Sequence, residues 1–171
     1  MIKLKKMHPC EYLIYSAVIL FGIFLDQLTK YLAVTYLEPV HSVPIIEDVL
    51  HLTYVENKGA AFGMLSDSRW VFMIISTVAI IGLLLYLFSG NVKGRIYAVA
   101  IAMVISGGIG NMIDRFMLGY VVDFIDFCLI DFAVFNLADS FVCIGAGLII
   151  LALVREIIKE AKAKNEASSD M

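Results

Sequence analysis

The chain has 171 residues, 61% hydrophobic and 17% charged, with a formal net charge of −3 and a mean hydropathy of +0.88. A soluble domain carries roughly half apolar and about a quarter charged residues, so this apolar surplus exceeds what one small core hides and excludes an ordinary water-soluble fold. The 3 cysteines and 3 histidines show no CxxC or HExxH spacing, which argues against a disulfide framework or a metal site. No basic patch interleaved with aromatics marks a nucleic-acid partner.

A helix that crosses hydrocarbon needs roughly 20 mostly apolar residues, and four stretches qualify. The first, about 13–37, follows Lys3, Lys5 and Lys6 and is interrupted by Asp26 and Lys30. It runs past signal-peptide length without an A-x-A-like cleavage site and reads as an uncleaved anchor. A loop follows over 38–66. There Pro39 and Pro44 break helix, VLHLTYVEN alternates as a strand, and Asn57-Lys58-Gly59 reads as a turn. A small sheet on the membrane surface is expected from it.

The second span, 70–88, carries no charge. The third, 96–112, is rich in small residues at its end, where Gly107, Gly108 and Gly110 allow another backbone to approach closely. The fourth, 132–154, holds Asn136 and Asp139 near its start. The polar stretch 155–171 reads as a frayed helix end or a disordered tail.

Lys and Arg concentrate before the first span, between the second and third (Lys93, Arg95), and after the fourth (Arg155, Lys159, Lys162, Lys164). By the positive-inside bias, both termini are cytoplasmic and the 38–66 loop lies on the opposite side. The expected architecture is an all-α integral membrane protein: one domain over 1–171, with four transmembrane helices and a small extracytoplasmic β-sheet.

Ionisable groups inside a bilayer cost several kcal/mol and need an explanation. Asp26 and Lys30 share a helix face, so an ion pair between them is the simple reading, with Lys30 also able to snorkel outward. Asn111 and Arg115 share a face beside Asp114. Asn136, Asp139 and Ser140 are spaced to project together, with Cys143 a turn further on, although Asp139 could also serve only the helix dipole. What such local readings leave out is the gathering of Asp26, Asn111, Asp114, Arg115, Asp123, Asn136 and Asp139 at one depth.

No histidine lies on a span, so Ser106, Ser140 and Cys143 lack a visible general base. Carboxylates remain. Two held close share a proton and can split water across an amide, one member taking a proton while the other polarises the carbonyl. Which two aspartates meet is left open by the residues themselves. A proton-coupled transporter is the main rival, but it calls for acids along a continuous path, and the inner halves of the second and third spans are apolar. An assembly factor using Asp–Arg pairs as glue is the other.

Five motifs carry a family likeness: DQLTK from Asp26, ENKGAAFG from Glu56, GGIGNMIDR from Gly107, VVDFID from Val121 and FNLADS from Phe135. In this order they resemble bacterial lipoprotein signal peptidase, signal peptidase II. The resemblance implies a bacterial inner-membrane aspartyl endopeptidase, active toward the extracytoplasmic side, that removes the signal peptide of a prolipoprotein before its diacylglyceryl-modified cysteine. It implies Asp123 and Asp139 as the catalytic pair, supported by Asp26, Lys30, Asn57, Gly59, Asn111, Asp114, Arg115 and Asn136. Asn57, Asn111, Arg115 and Asn136 would hold the substrate backbone and orient the pair. Asp26 and Asp114 would be structural, and Asp126 and Asp131 surface groups. The loop from Asn57 to Gly63 would close over the scissile bond. No metal or organic cofactor is implied, and the expected partners are lipid-modified prolipoproteins, membrane lipids and globomycin-type inhibitors acting on a monomer.

Overall fold

The computed structural model describes residues 7–59, 69–92, 94–130 and 132–169. Helix α1 covers Pro9–Leu32. It begins four residues ahead of the apolar run because His8 and Pro9 make a good start. The Cys10 N–H donates to His8 Nδ1, Glu11 reaches back to the His8 N–H, and Pro9 has no N–H to leave unsatisfied. After Leu32 the helix widens to a π-turn over Ala33–Leu37 and tightens to a 3₁₀ turn over Glu38–Val40. Pro39 cannot donate, and the ladder ends there.

The chain then forms a hairpin, β1 (Ser42–Ile46) and β2 (Leu50–Asn57), with Asp48 in the left-handed turn position. Helices α2 (Arg69–Phe88) and α3 (Arg95–Met117) follow. Strand β3 covers Val121–Asp126, and α4 covers Leu137–Ser169. The sheet is antiparallel in the order β1-β2-β3. The strand expected over 49–57 is present as Leu50–Asn57, and the sheet lies against the α1 end, where Leu52, Tyr54 and Phe124 pack on Ala33, Leu37 and Val122.

Helix α3 runs on to Met117 where the hydropathy reading stopped at 112, and both limits of α4 differ from that reading. Helix α4 starts at Leu137, not 132, because 132–136 carries the single β-bridge of Phe135 to Ile125 and then a helix cap. At the other end α4 runs on through 155–169. Its polar sequence EIIKEAKAKNEA is rich in Ala, Lys and Glu, which propagate a helix well once it is nucleated.

Helix α3 sits at the centre and packs on α1, α2 and α4. Glycines make these approaches possible. A Cβ on Gly107 would collide with the Ala138 carbonyl of α4, and one on Gly110 with the Asp26 carboxylate of α1. The buried apolar cluster is small-residue rich, with Ala98, Ile101, Ala102 and Ile105 of α3 against Tyr15 and Ile19 of α1. Large apolar side chains such as Leu20, Phe21, Phe24, Ile74, Leu85 and Ile150 face outward, inverting the pattern of a water-soluble bundle. Among the described residues, three helical segments are long and apolar enough to cross a membrane: Pro9–Val40, Arg95–Met117 and Leu137–Asn165. Helix α2 adds a shorter apolar stretch, Met73–Phe88.

Candidate active site

The site forms where β3 and the start of α4 meet the last turns of α1 and α3. Phe135 brings the two together: its N–H donates to the Ile125 carbonyl (3.0 Å), and its own carbonyl accepts from Phe124 N–H (3.0 Å) and Ile125 N–H (2.7 Å). The next residue, Asn136, is fully buried beside Asp123 of β3. Asn136 caps α4 reciprocally with Asp139. Asp139 N–H donates to Asn136 Oδ1 at 3.0 Å, and Asn136 N–H donates to Asp139 Oδ2 at 3.3 Å. This is a capping box with aspartate at its third helical position. The Ala138 N–H, another orphan of that first turn, donates to Asp26 Oδ1 at 3.0 Å.

Beneath these residues lies a buried ionic cluster. The Lys30 ammonium contacts Asp26 Oδ2 at 3.0 Å and Asp114 Oδ2 at 2.9 Å, and donates to Asn111 Oδ1 at 2.9 Å. Its three protons therefore meet three acceptors, and its side chain is 4% exposed. The expected Asp26–Lys30 pair exists, but Lys30 points inward rather than snorkelling, because Asp114 and Asn111 of α3 complete its shell. Gln27 Nε2 bridges the two acids, at 3.1 Å from Asp26 Oδ2 and 3.0 Å from Asp114 Oδ1. Asp114 also accepts the Val122 N–H at 3.1 Å, tying β3 to α3. Gln27 was no candidate from the sequence. Its i, i+1 position beside Asp26 gave no reason to place it against α3.

Above the cluster, each oxygen of Asp123 and Asp139 accepts one N–H. Asn136 Nδ2 donates to Asp123 Oδ1 at 2.6 Å, and Asn57 Nδ2 to Asp123 Oδ2 at 2.8 Å. Asn111 Nδ2 donates to Asp139 Oδ1 at 2.7 Å, with the Asn136 N–H on Oδ2 as above. Asn57 is oriented in turn by the Gly59 N–H, 3.0 Å from its Oδ1, and Arg115 Nη2 lies 3.5 Å from the Gly59 carbonyl. Both aspartates, with Asn57, Asn111 and Arg115, line one cavity of about 860 Å³ whose other walls include Val55, Phe132, Phe135 and Ile144.

Asp123 is 1% exposed. Burial pushes its carboxyl up from the usual 3.8 to about 7, and the nearby charge of Asp139 adds to the rise, while the bonds from Asn57 and Asn136 oppose it. The structure thus gathers all ten residues named from the sequence. Asp126 is apart from them, accepting from Thr53 Oγ1 at 2.7 Å on the outer sheet. Asp131 and the segment Ala60–Gly63 lie outside the described residues. Among the described residues, no group of three His, Cys, Asp or Glu side chains is arranged to hold a metal ion.

A multi-pass membrane protein with a carboxylate pair in a half-apolar cavity is a narrow class, and comparison with known proteins narrows it further. The family model described as Signal peptidase (SPase) II matches residues 18–155. The lipoprotein signal peptidase of Halalkalibacterium halodurans is 42% identical over 155 residues, covering 90% of this chain and 99% of its own. That of Caldanaerobacter subterraneus subsp. tengcongensis is 51% identical over 129 residues, covering 75% and 88%. Two solved bacterial membrane enzymes, both 37% identical, superpose with TM-scores of 0.78 and 0.75. They cover 84% and 88% of this chain, and 89% and 96% of theirs. The chain belongs to the signal peptidase II family and is a membrane-embedded protease.

Proposed function

We propose that this protein is a four-span aspartyl endopeptidase of the bacterial inner membrane, with both termini cytoplasmic. It removes signal peptides from prolipoproteins by cutting before the diacylglyceryl-modified cysteine. The observation that carries the reading is the arrangement of Asp123 and Asp139 on one cavity, each carboxylate oxygen holding one N–H donor. The family's signal peptidases supply the reaction class, and the Lys and Arg bias of the loops supplies the orientation.

Asp123, the buried member with the raised carboxyl, carries the shared proton and hydrogen-bonds the scissile carbonyl. Asp139 takes a proton from water as its oxygen attacks the carbonyl carbon, and Asp123 passes its proton to the carbonyl oxygen. The resulting gem-diol returns a proton to Asp123 as the C–N bond breaks, and Asp139 gives its proton to the leaving amine. The pair ends as it began, with one water consumed. Arg115 and the Asn57–Gly59 turn border the same cavity and hold the substrate backbone. The apolar wall accepts the substrate's lipid-flanked segment, and the acyl chains of the modified cysteine hold the bond at membrane depth. Globomycin-type peptides occupy the same space.

The test is cleavage by purified protein in detergent of one prolipoprotein in two forms, with and without the diacylglyceryl group, read by product mass. Cleavage before the cysteine of the lipidated form alone is the expected result. Equal cleavage of both forms, or cutting elsewhere, contradicts the proposal.

A further inference from the structure

Three asparagines surround the aspartate pair, and an asparagine amide can turn either its N–H₂ or its oxygen to a neighbour. Groups that cannot reverse their own polarity fix each one here. Asn57 Oδ1 faces the Gly59 N–H, a donor only. Asn136 Oδ1 faces the Asp139 N–H, and its Nδ2 lies 3.3 Å from the Val122 carbonyl, an acceptor only. Main chain alone therefore sets Asn57 and Asn136.

Asn111 differs. Among the described residues, no main-chain group holds its side chain. Its Oδ1 is held by Lys30 Nζ at 2.9 Å and by Asn136 Nδ2 at 3.0 Å, which leaves Nδ2 to face Asp139 at 2.7 Å. Asn136 Nδ2 is shared among Asn111, Val122 and Asp123, three acceptors for two protons. Lys30, whose ammonium has no lone pair and gives one whole proton to Asn111, is the stronger lock. It is not itself among the residues that line the cavity, and it meets the aspartate pair through Asn111.

We propose that Lys30 is a positioning residue that acts on Asp139 through Asn111. It holds the Asn111 amide with its N–H side toward the carboxylate, so that the syn or anti lone pair needed for water stays aimed into the cavity. The inference rests on the peptidase reading above. It gives the buried cluster a role beyond structure: Asp26, Asp114 and Gln27 hold Lys30, Lys30 holds Asn111, and Asn111 holds Asp139. Without the cation, Asn111 can turn its oxygen to Asp139, acceptor against acceptor, and the carboxylate must swing away.

The experiment is a cycle of kcat and KM on a lipidated prolipoprotein. Lys30→Met alone would leave two buried acids without a cation, so it is combined with Asp26→Asn. That pair of changes removes one charge of each sign and keeps an oxygen for the Ala138 N–H. The double variant is expected to lose about tenfold or more in kcat, with KM within about twofold, the loss of one charge-assisted hydrogen bond in the reacting geometry. Asn111→Leu should lose at least as much, and adding the double change to it should cost less than about twofold more. Multiplying effects, or a double variant with wild-type kcat, would overturn the proposal. Should the double variant not fold, Asn111→Asp decides alone. It keeps size and gives Lys30 an anion to hold, yet presents an acceptor to Asp139. A loss of about 100-fold in kcat supports the relay, and kcat within twofold of wild type refutes it. A wild type that does not cleave at all refutes instead the peptidase reading.

Discussion

Asp123→Asn is expected to stabilise the folded protein at pH 9 while abolishing turnover. The carboxyl is raised from 3.8 to about 7 in the folded state, chiefly by burial. The folded chain therefore binds this proton more tightly than the unfolded chain. The resulting stability is complete below about pH 4 and is lost as pH rises through 7. At about 1.4 kcal/mol per pH unit, the ionised carboxylate costs the fold on the order of 4 kcal/mol at pH 9. Asparagine removes that charge but gives back part of the gain. Its N–H₂ must face a donor, either Asn57 Nδ2 or Asn136 Nδ2, at about 1–3 kcal/mol for the lost bond. The net is a variant more stable than wild type by about 1–3 kcal/mol at pH 9, an advantage that vanishes by pH 5, where wild type keeps its proton. Thermal unfolding in one detergent at pH 5 and pH 9 reads this directly. A variant that is no more stable at pH 9, with the same difference from wild type at both pH values, would refute the reasoning.

The same raised carboxyl predicts that kcat/KM falls about tenfold per pH unit above roughly pH 7, as Asp123 loses the proton it must donate. A pH–rate profile flat to pH 9 would remove Asp123 from the acid role. Gly107→Ala is expected to cost about 1–3 kcal/mol and most activity, because its Cβ meets the Ala138 carbonyl one residue before Asp139. Gly147→Ala, with nothing within 4 Å of its added Cβ, is the matched control and should hold or gain stability by up to about 1 kcal/mol. Asn136→Ala removes both the α4 cap and a donor to Asp123. It should cost about 1–2 kcal/mol by thermal unfolding and leave little turnover.

The parts of the fold legible in the sequence rest on local periodicity. Apolar runs mark α1 to α4, the alternation of Leu50 to Val55 marks β2, and the i, i+4 spacing of Asp26 and Lys30 marks their pair. What local pattern misses is set by distant partners. The partner acid Asp114 and the bridging Gln27 reach Lys30 and Asp26 only once α1 and α3 have packed. Strand β3 was not read from the sequence, because its neighbours are β2, across the whole of α2 and α3, and Phe135. The late start of α4 had a signal in Asn136 with an acid three residues on, masked by the apolar run FAVF before it. At 155–169 polarity left a frayed helix end or a disordered tail open, and helix propensity decided for the helix.

The site was legible as a set of residues because polar groups are rare in this chain and each one in a span asks for a partner. Their connectivity was not. Whether Asn111 serves Asp123 or Asp139, and whether Lys30 faces lipid headgroups or the core, depends on helix rotation to within a fraction of a turn. Glycines Gly107 and Gly110 set that rotation through contacts with Ala138 and Asp26.

The central claim is that Asp123 and Asp139 together split water across the scissile amide. Its most direct test is cleavage of a diacylglyceryl-modified prolipoprotein by wild type, Asp123→Asn and Asp139→Asn, each first shown to be folded and monodisperse in detergent. The account predicts that wild type cuts before the lipidated cysteine and that both variants bind the substrate but do not cut it. A folded variant of either aspartate that cuts at the wild-type rate would contradict it.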